Sequence, residues 1–86
     1  MTPTDFRWIG WNLDHSTKHG CKVHDIEYVV RNAGRGFPRR LDKEKWLVNG
    51  REPSGRTIKV IYLLDDDDTT AFVIHAMPLT TRRRRR

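Results

Sequence analysis

The chain opens with large apolar residues interrupted by a cation. Phe6, Trp8 and Ile9 surround Arg7 and predict a short strand over residues 6–9, broken by Gly10. From Trp11 the spacing turns helical. A helix is predicted over residues 11–19, with Asn12 or Asp14 capping or charging its start and Gly20 as a left-handed stop. A second helix is predicted over Val23–Arg31. Val23, Ile26, Val29 and Val30 share one stripe there, with Asp25 and Glu27 early and Arg31 late. Residues 32–42 carry Gly, Arg and Pro38 and predict a loop. Three strands follow: residues 45–49, then Thr57–Leu64, then residues 70–77, ended by Pro78. Residues 50–55 hold the turn-formers Gly50, Pro53, Ser54 and Gly55, and the acidic run 65–68 forms the hairpin loop between the last two strands.

The strand over Thr57–Leu64 is apolar on both faces, with Ile58, Val60, Tyr62 and Leu64 on one side and Ile61 and Leu63 on the other. That predicts a central strand, covered over at least part of both faces. His75 is expected to share a face with Val73 and Met77 in the last strand. The order is β-α-α-β-β-β, with a short C-terminal helix conceivable after Thr80 or Thr81. Helices in a block ahead of hairpin-linked strands predict an α+β fold, two N-terminal helices packed on an antiparallel sheet. No repeat or linker divides the 86 residues, so they are read as one domain, with residues 80–86 as a basic extension.

Composition refines this picture. Hydrophobic residues make up 36% and charged residues 33%, the balance of a folded chain with a wet surface. The net charge is +6, and the arginine run 82–86 accounts for five of those excess charges. The basic character is therefore local. A concentrated cationic end attracts phosphate backbones, so the expected partner is nucleic acid, RNA before DNA. A single cysteine, Cys21, rules out an intrachain disulfide and gives no support to a cysteine-based zinc site. No apolar run approaches a membrane span and no N-terminal stretch has the form of a signal peptide, so a cytoplasmic protein without a membrane partner is expected.

Candidate chemistry concentrates in the first helix. Trp11, His15 and Lys18 stand at i, i+4 and i+7 and would share a face, and His15 and His19 stand one turn apart. An aromatic ring, imidazoles and an ammonium on one stripe can stack on a base and handle a phosphate and its protons. The competing interpretation makes Trp11 a core anchor and the others solvated surface. A zinc site from His15, His19 and His24 or His75 lacks the adjacent Glu of a metalloprotease helix, and no cofactor is expected. The acidic run 65–68 lacks the alternation, the glycine and the distal glutamate of a calcium loop. Arg51 and Arg56 flank the turn before the central strand and suit phosphate binding through the planar guanidinium. His75 within a strand is open to a structural reading as well as a catalytic one.

These pieces, in this order, resemble the BrnT-like toxins. The match runs through Trp8, Asn12, Lys18, His19, Gly20 and Glu27, then Gly50, Gly55, Arg56 and Val60, then Phe72, Val73, Ile74, Ala76, Leu79 and Thr80. The chain departs from the pattern at His75 and Met77, which flank Ala76 where the family has Thr and Arg. The resemblance implies a RelE-like α+β fold, metal-independent endoribonuclease activity in a type II toxin–antitoxin system, and a cognate DNA-binding antitoxin as protein partner, with which it could form an oligomer. On that reading Lys18 and Arg56 stabilise phosphate charge, and His19 or His15 transfers protons, with His75 in reach. Trp11, Arg51, Arg82, Arg83 and Arg84 hold RNA. The alternative is a non-catalytic nucleic-acid- or protein-binding module of the same fold.

Overall fold

The computed structural model describes residues 2–79. Its elements run β1 (Asp5–Phe6), α1 (Gly10–Thr17), α2 (Val23–Arg31), β2 (Arg39–Arg40), β3 (Lys45–Arg51), β4 (Thr57–Leu64) and β5 (Thr70–Pro78). The five strands form one sheet in the order β1-β5-β4-β3-β2. The fold is α+β, as the element pattern predicts. The sheet is mixed, however, because β1 pairs parallel to β5 while every other pair is antiparallel. The expectation of a wholly antiparallel sheet fails for a topological reason. Both helices intervene between β1 and the meander, so β1 returns to the sheet's far edge in the same direction as β5.

Several boundaries shift, each with a local cause. β1 ends at Phe6, and the Arg7 N–H donates one last bond to the Ala71 carbonyl before the chain turns into α1. Asn12 makes that turn. Its Oδ1 accepts from the Ile9 N–H at 2.7 Å and its Nδ2 donates to the Arg7 carbonyl at 3.0 Å. α1 stops at Thr17, two residues short of expectation. The chain closes there with a Gly20 N–H to Thr17 carbonyl bond, and Gly20 takes φ +91°, the left-handed stop its sequence position predicts. Within the predicted loop 32–42 lies the two-residue strand β2. It is held by the Leu41 N–H to Lys45 carbonyl bond and by Asp42, whose carboxylate accepts from the Glu44 and Lys45 N–H groups. Gly50 belongs to β3 and not to the turn. A side chain there would place Cβ 3.0 Å from Val29 Cγ1, so the missing side chain lets α2 approach the strand. β5 includes Pro78, after which the Leu79 N–H donates to the Thr57 carbonyl.

The core lies between α2 and one sheet face. Ile26, Val29 and Val30 from α2 meet Val48, Ile58, Val60, Tyr62, Ala71, Val73 and Ala76. β4 is central, as predicted, but the helices do not cover both of its faces: Ile58, Val60 and Tyr62 are buried, whereas Lys59, Ile61 and Leu63 stay partly exposed. A bulge decides the faces of β5. Tyr62 pairs with Val73 and Ile61 with His75, so Ile74 is the extra residue. Strict alternation would put His75 with Val73. The bulge instead turns Val73 and Ala76 toward the core and His75, with Met77, to the opposite face. α1 lies along β5 beyond the end of β1, burying Asn12 and Ser16, and Ser16 Oγ donates to the Val73 carbonyl at 3.4 Å. Trp8 Nε1 donates to Glu27 at 2.8 Å and ties the start of α1 to α2. Among the described residues no helix is long and apolar enough to cross a membrane. The candidate C-terminal helix lies outside the described residues.

Candidate functional site

The face of the sheet away from α2 carries the chemistry. Alternation places Lys45, Leu47, Asn49 and Arg51 of β3 there, with Thr57, Lys59, Ile61 and Leu63 of β4 and Phe72, His75 and Met77 of β5. Aliphatic residues form its floor and Lys45, Arg51 and Lys59 supply positive charge. α1 overhangs one side, because burying Asn12 and Ser16 against β5 leaves Trp11 and His15 on the flank that meets Phe72.

Two of the predicted histidines come together. The His19 and His75 rings stand edge to face with centroids 5.8 Å apart. His19 comes from the α1–α2 turn and His75 from the strand after the bulge, 56 positions apart in a chain of 86. Partial burial pushes the His75 pKa below its ordinary 6.5, and the nearby charges of Lys59, His19 and Lys18 push it the same way. His75 is therefore neutral at pH 7, with a nitrogen lone pair available as a base. Lys59 lies diagonally from it across the β4–β5 ladder, one alternation from Ile61. Lys59 was not among the residues expected from sequence. The available signal was a lysine interrupting the apolar run of β4, at a position opposite in parity to Ile58 and Val60.

His15 stands apart from this pair. Its ring stacks on Trp11 with centroids 4.0 Å apart, and its Nδ1 lies 2.8 Å from the Trp11 carbonyl oxygen. A carbonyl can only accept, so Nδ1 carries the proton and Nε2 is the atom left for other work. Trp11 is no core anchor: it is 51% exposed. Lys18 follows α1 directly, its N–H bonded to the Asp14 carbonyl.

Arg56 plays a different part from the one expected. Its Nε and Nη2 donate to Glu52 at 2.7 and 3.1 Å, and Nη2 also donates to the Gly20 carbonyl at 3.1 Å. Glu52 is 5% exposed and takes a further bond from Ser54 Oγ at 2.7 Å. Arg56 holds the Glu52 carboxyl below the usual range, and Glu52 in turn raises the Arg56 guanidinium. The residue thus ties the β3–β4 turn to the α1–α2 turn that carries His19. Arg51 is exposed at the end of β3. Arg82, Arg83 and Arg84 lie outside the described residues.

The four histidines do not gather into a ligand set. Among the described residues no three His, Cys, Asp or Glu side chains stand close enough to hold a metal ion. The acidic run is occupied with its own turn. Asp65 pairs with Arg7, and Asp67 accepts from the N–H groups of Thr69 and Thr70 and from Thr70 Oγ1, which lowers its pKa to about 2. Cys21 is buried, and desolvation raises its thiol. Comparison with known proteins returns no matching family model, no matching curated protein and no matching solved structure.

Proposed function

We propose that the chain is a BrnT-like, metal-independent endoribonuclease whose cleavage centre is formed by Lys18, His19, Lys59 and His75. The observation that carries the reading is the edge-to-face contact of the His19 and His75 rings on a partly exposed sheet face, with the charges of Lys59 and Lys18 acting on the same imidazole. RNA holds its own nucleophile. Cleavage requires removal of the 2′-hydroxyl proton, attack of that oxygen on the adjacent phosphorus, and departure of the 5′-oxygen with a proton, leaving a 2′,3′-cyclic phosphate and a 5′-hydroxyl. Neutral His75 accepts the first proton and His19 donates the second. Lys18 and Lys59 balance the charge that grows on the non-bridging oxygens. Arg56 supports this centre through the turn it ties down. In the biological setting this reading implies a cytoplasmic toxin held in check by a DNA-binding antitoxin.

The second reading, a non-catalytic RNA-binding module, has one observation in its favour: the arginine expected to clamp phosphate is already engaged by Glu52. Incubating single-stranded RNA with the purified chain in the presence of a chelator separates the two. Cleavage is expected, with the rate rising with pH through a midpoint below 6.5 as His75 loses its proton. His75→Ala and His19→Ala should each lower the rate by about 10²- to 10⁴-fold. RNA bound but left intact by the wild-type chain would establish the binding module instead.

A further inference from the structure

A second feature of this surface has no part in proton transfer. Arg7, Phe72, Trp11 and His15 form a continuous row of flat groups. The Arg7 guanidinium lies 4.4 Å from the Phe72 ring centroid. Asp65 pins it there through Nε to Oδ2 at 2.8 Å and Nη2 to Oδ1 at 2.9 Å. The Phe72 and Trp11 rings are parallel within 6° with centroids 6.3 Å apart, and His15 closes the row against Trp11. Trp11 and Phe72 lie outside the buried core, and Trp11 keeps half its surface in solvent. A large aromatic braced by neighbouring rings and left half exposed offers its remaining surface for stacking.

Position gives this row a partner. Phe72 and His75 share one sheet face, opposite Leu63 and Ile61 and so about 7 Å apart along the strand. On the helix side, Trp11 and His15 lead from the row toward the turn that holds Lys18 and His19. Flat apolar rings at one end and a cluster of cations at the other match a polyanion that offers uncovered π faces. A single strand of RNA has both properties, whereas a duplex hides its base faces in its own stack. Beyond Phe72 the hairpin carboxylates of Asp66 and Asp67 repel phosphate and direct the backbone back toward Lys18 and Lys59.

We infer that the Trp11–Phe72 shelf is a base-stacking subsite that selects single-stranded RNA by holding an unpaired base near the bond to be cut. The inference rests on the ribonuclease reading for its orientation, but its test does not need cleavage. The full chain is titrated into a fluorescent 2′-O-methyl oligoribonucleotide, which cannot be cut, and into the same strand annealed to its complement. Trp11→Ala should weaken single-strand binding about 5- to 150-fold, the effect of losing one aromatic stack. Trp11→Phe should recover most of it, and duplex binding should change little. Circular dichroism on each variant guards against a folding effect. Single-strand affinity unchanged in Trp11→Ala overturns the inference, as does an equal loss on both probes. A Trp11 face that serves a protein partner would give the first of these results. If the selective loss appears and wild-type cleavage does not, the shelf stands and the ribonuclease reading falls. The converse pair of results removes the shelf alone.

Discussion

Gly50→Ala sets two effects against each other whose sizes the structure allows to be compared. In a strand interior, alanine restricts the unfolded chain more than glycine does, which favours folding by about 0.4–1 kcal/mol. Gly50 has no positive φ, so its backbone places no obstacle to that gain. Against it stands α2. The new Cβ would lie 3.0 Å from Val29 Cγ1, and 3.9 Å from both Val29 Cβ and the Val29 carbonyl oxygen. Val29 is 2% exposed and packed within the core, so its methyl has little room to retreat. Overpacking of this kind costs about 1–3 kcal/mol. The clash wins, and the net effect is a loss of about 1–2 kcal/mol, which for a domain of this size lowers Tm by about 4–16 °C. Urea unfolding followed by circular dichroism measures the free energy directly. The mechanism is isolated by adding Val29→Ala. That change opens space where the new methyl goes, so the double variant should be more stable than the sum of the single effects by at least about 0.5 kcal/mol. Strict additivity, or a Gly50→Ala variant as stable as wild type, would refute the claim that this glycine exists to admit the helix.

Two further outcomes concern titrating groups. Glu52 is held below its ordinary value by Arg56, so the pair adds stability that is present above pH 4.5 and fades as acid protonates the carboxylate. Arg56→Ala should therefore unfold at lower temperature than wild type at pH 7, with the difference shrinking toward pH 3; a gap of constant size across that range contradicts the ion-pair account. Burial pushes the Tyr62 phenol from 10.0 up to about 12. The stability linked to its neutral form is complete below pH 10 and is lost as pH rises through about 12, so tyrosinate absorbance from one of the two tyrosines should appear only in that window and together with unfolding.

The contrast between Tyr62 and His75 shows which parts of this molecule the sequence makes legible. Period and punctuation locate α2 and β4 to the residue, because their apolar stripes are strong and Gly20 and Gly55 mark breaks at positive φ. Tyr62 follows from the same parity, since it stands an even number of places from Ile58 and Val60. His75 does not, because parity in β5 resets at Ile74. Nothing in the string Val73, Ile74, His75, Ala76 separates a bulge from an unbroken strand. Pairing decides it: with Tyr62 committed to the core by β4, both Val73 and Ala76 can face inward only if one residue is looped out. The same non-local dependence hides Lys59, whose importance arises only when the bulge turns His75 toward it. Arg56 illustrates the opposite case. The glycine before it suggests an exposed guanidinium, and the side chain is indeed 41% exposed, yet its partner Glu52 sits across a tight turn that sequence reading assigns only to chain reversal. Helices and central strands are thus set by local pattern, whereas the candidate site depends on where one extra residue falls in a ladder. Deleting Ile74 would make the ladder regular while leaving Val73 and Ala76 inward and His75 outward, so the cluster should survive it; only a regular strand that keeps Ile74 would return His75 to the core parity of Val73.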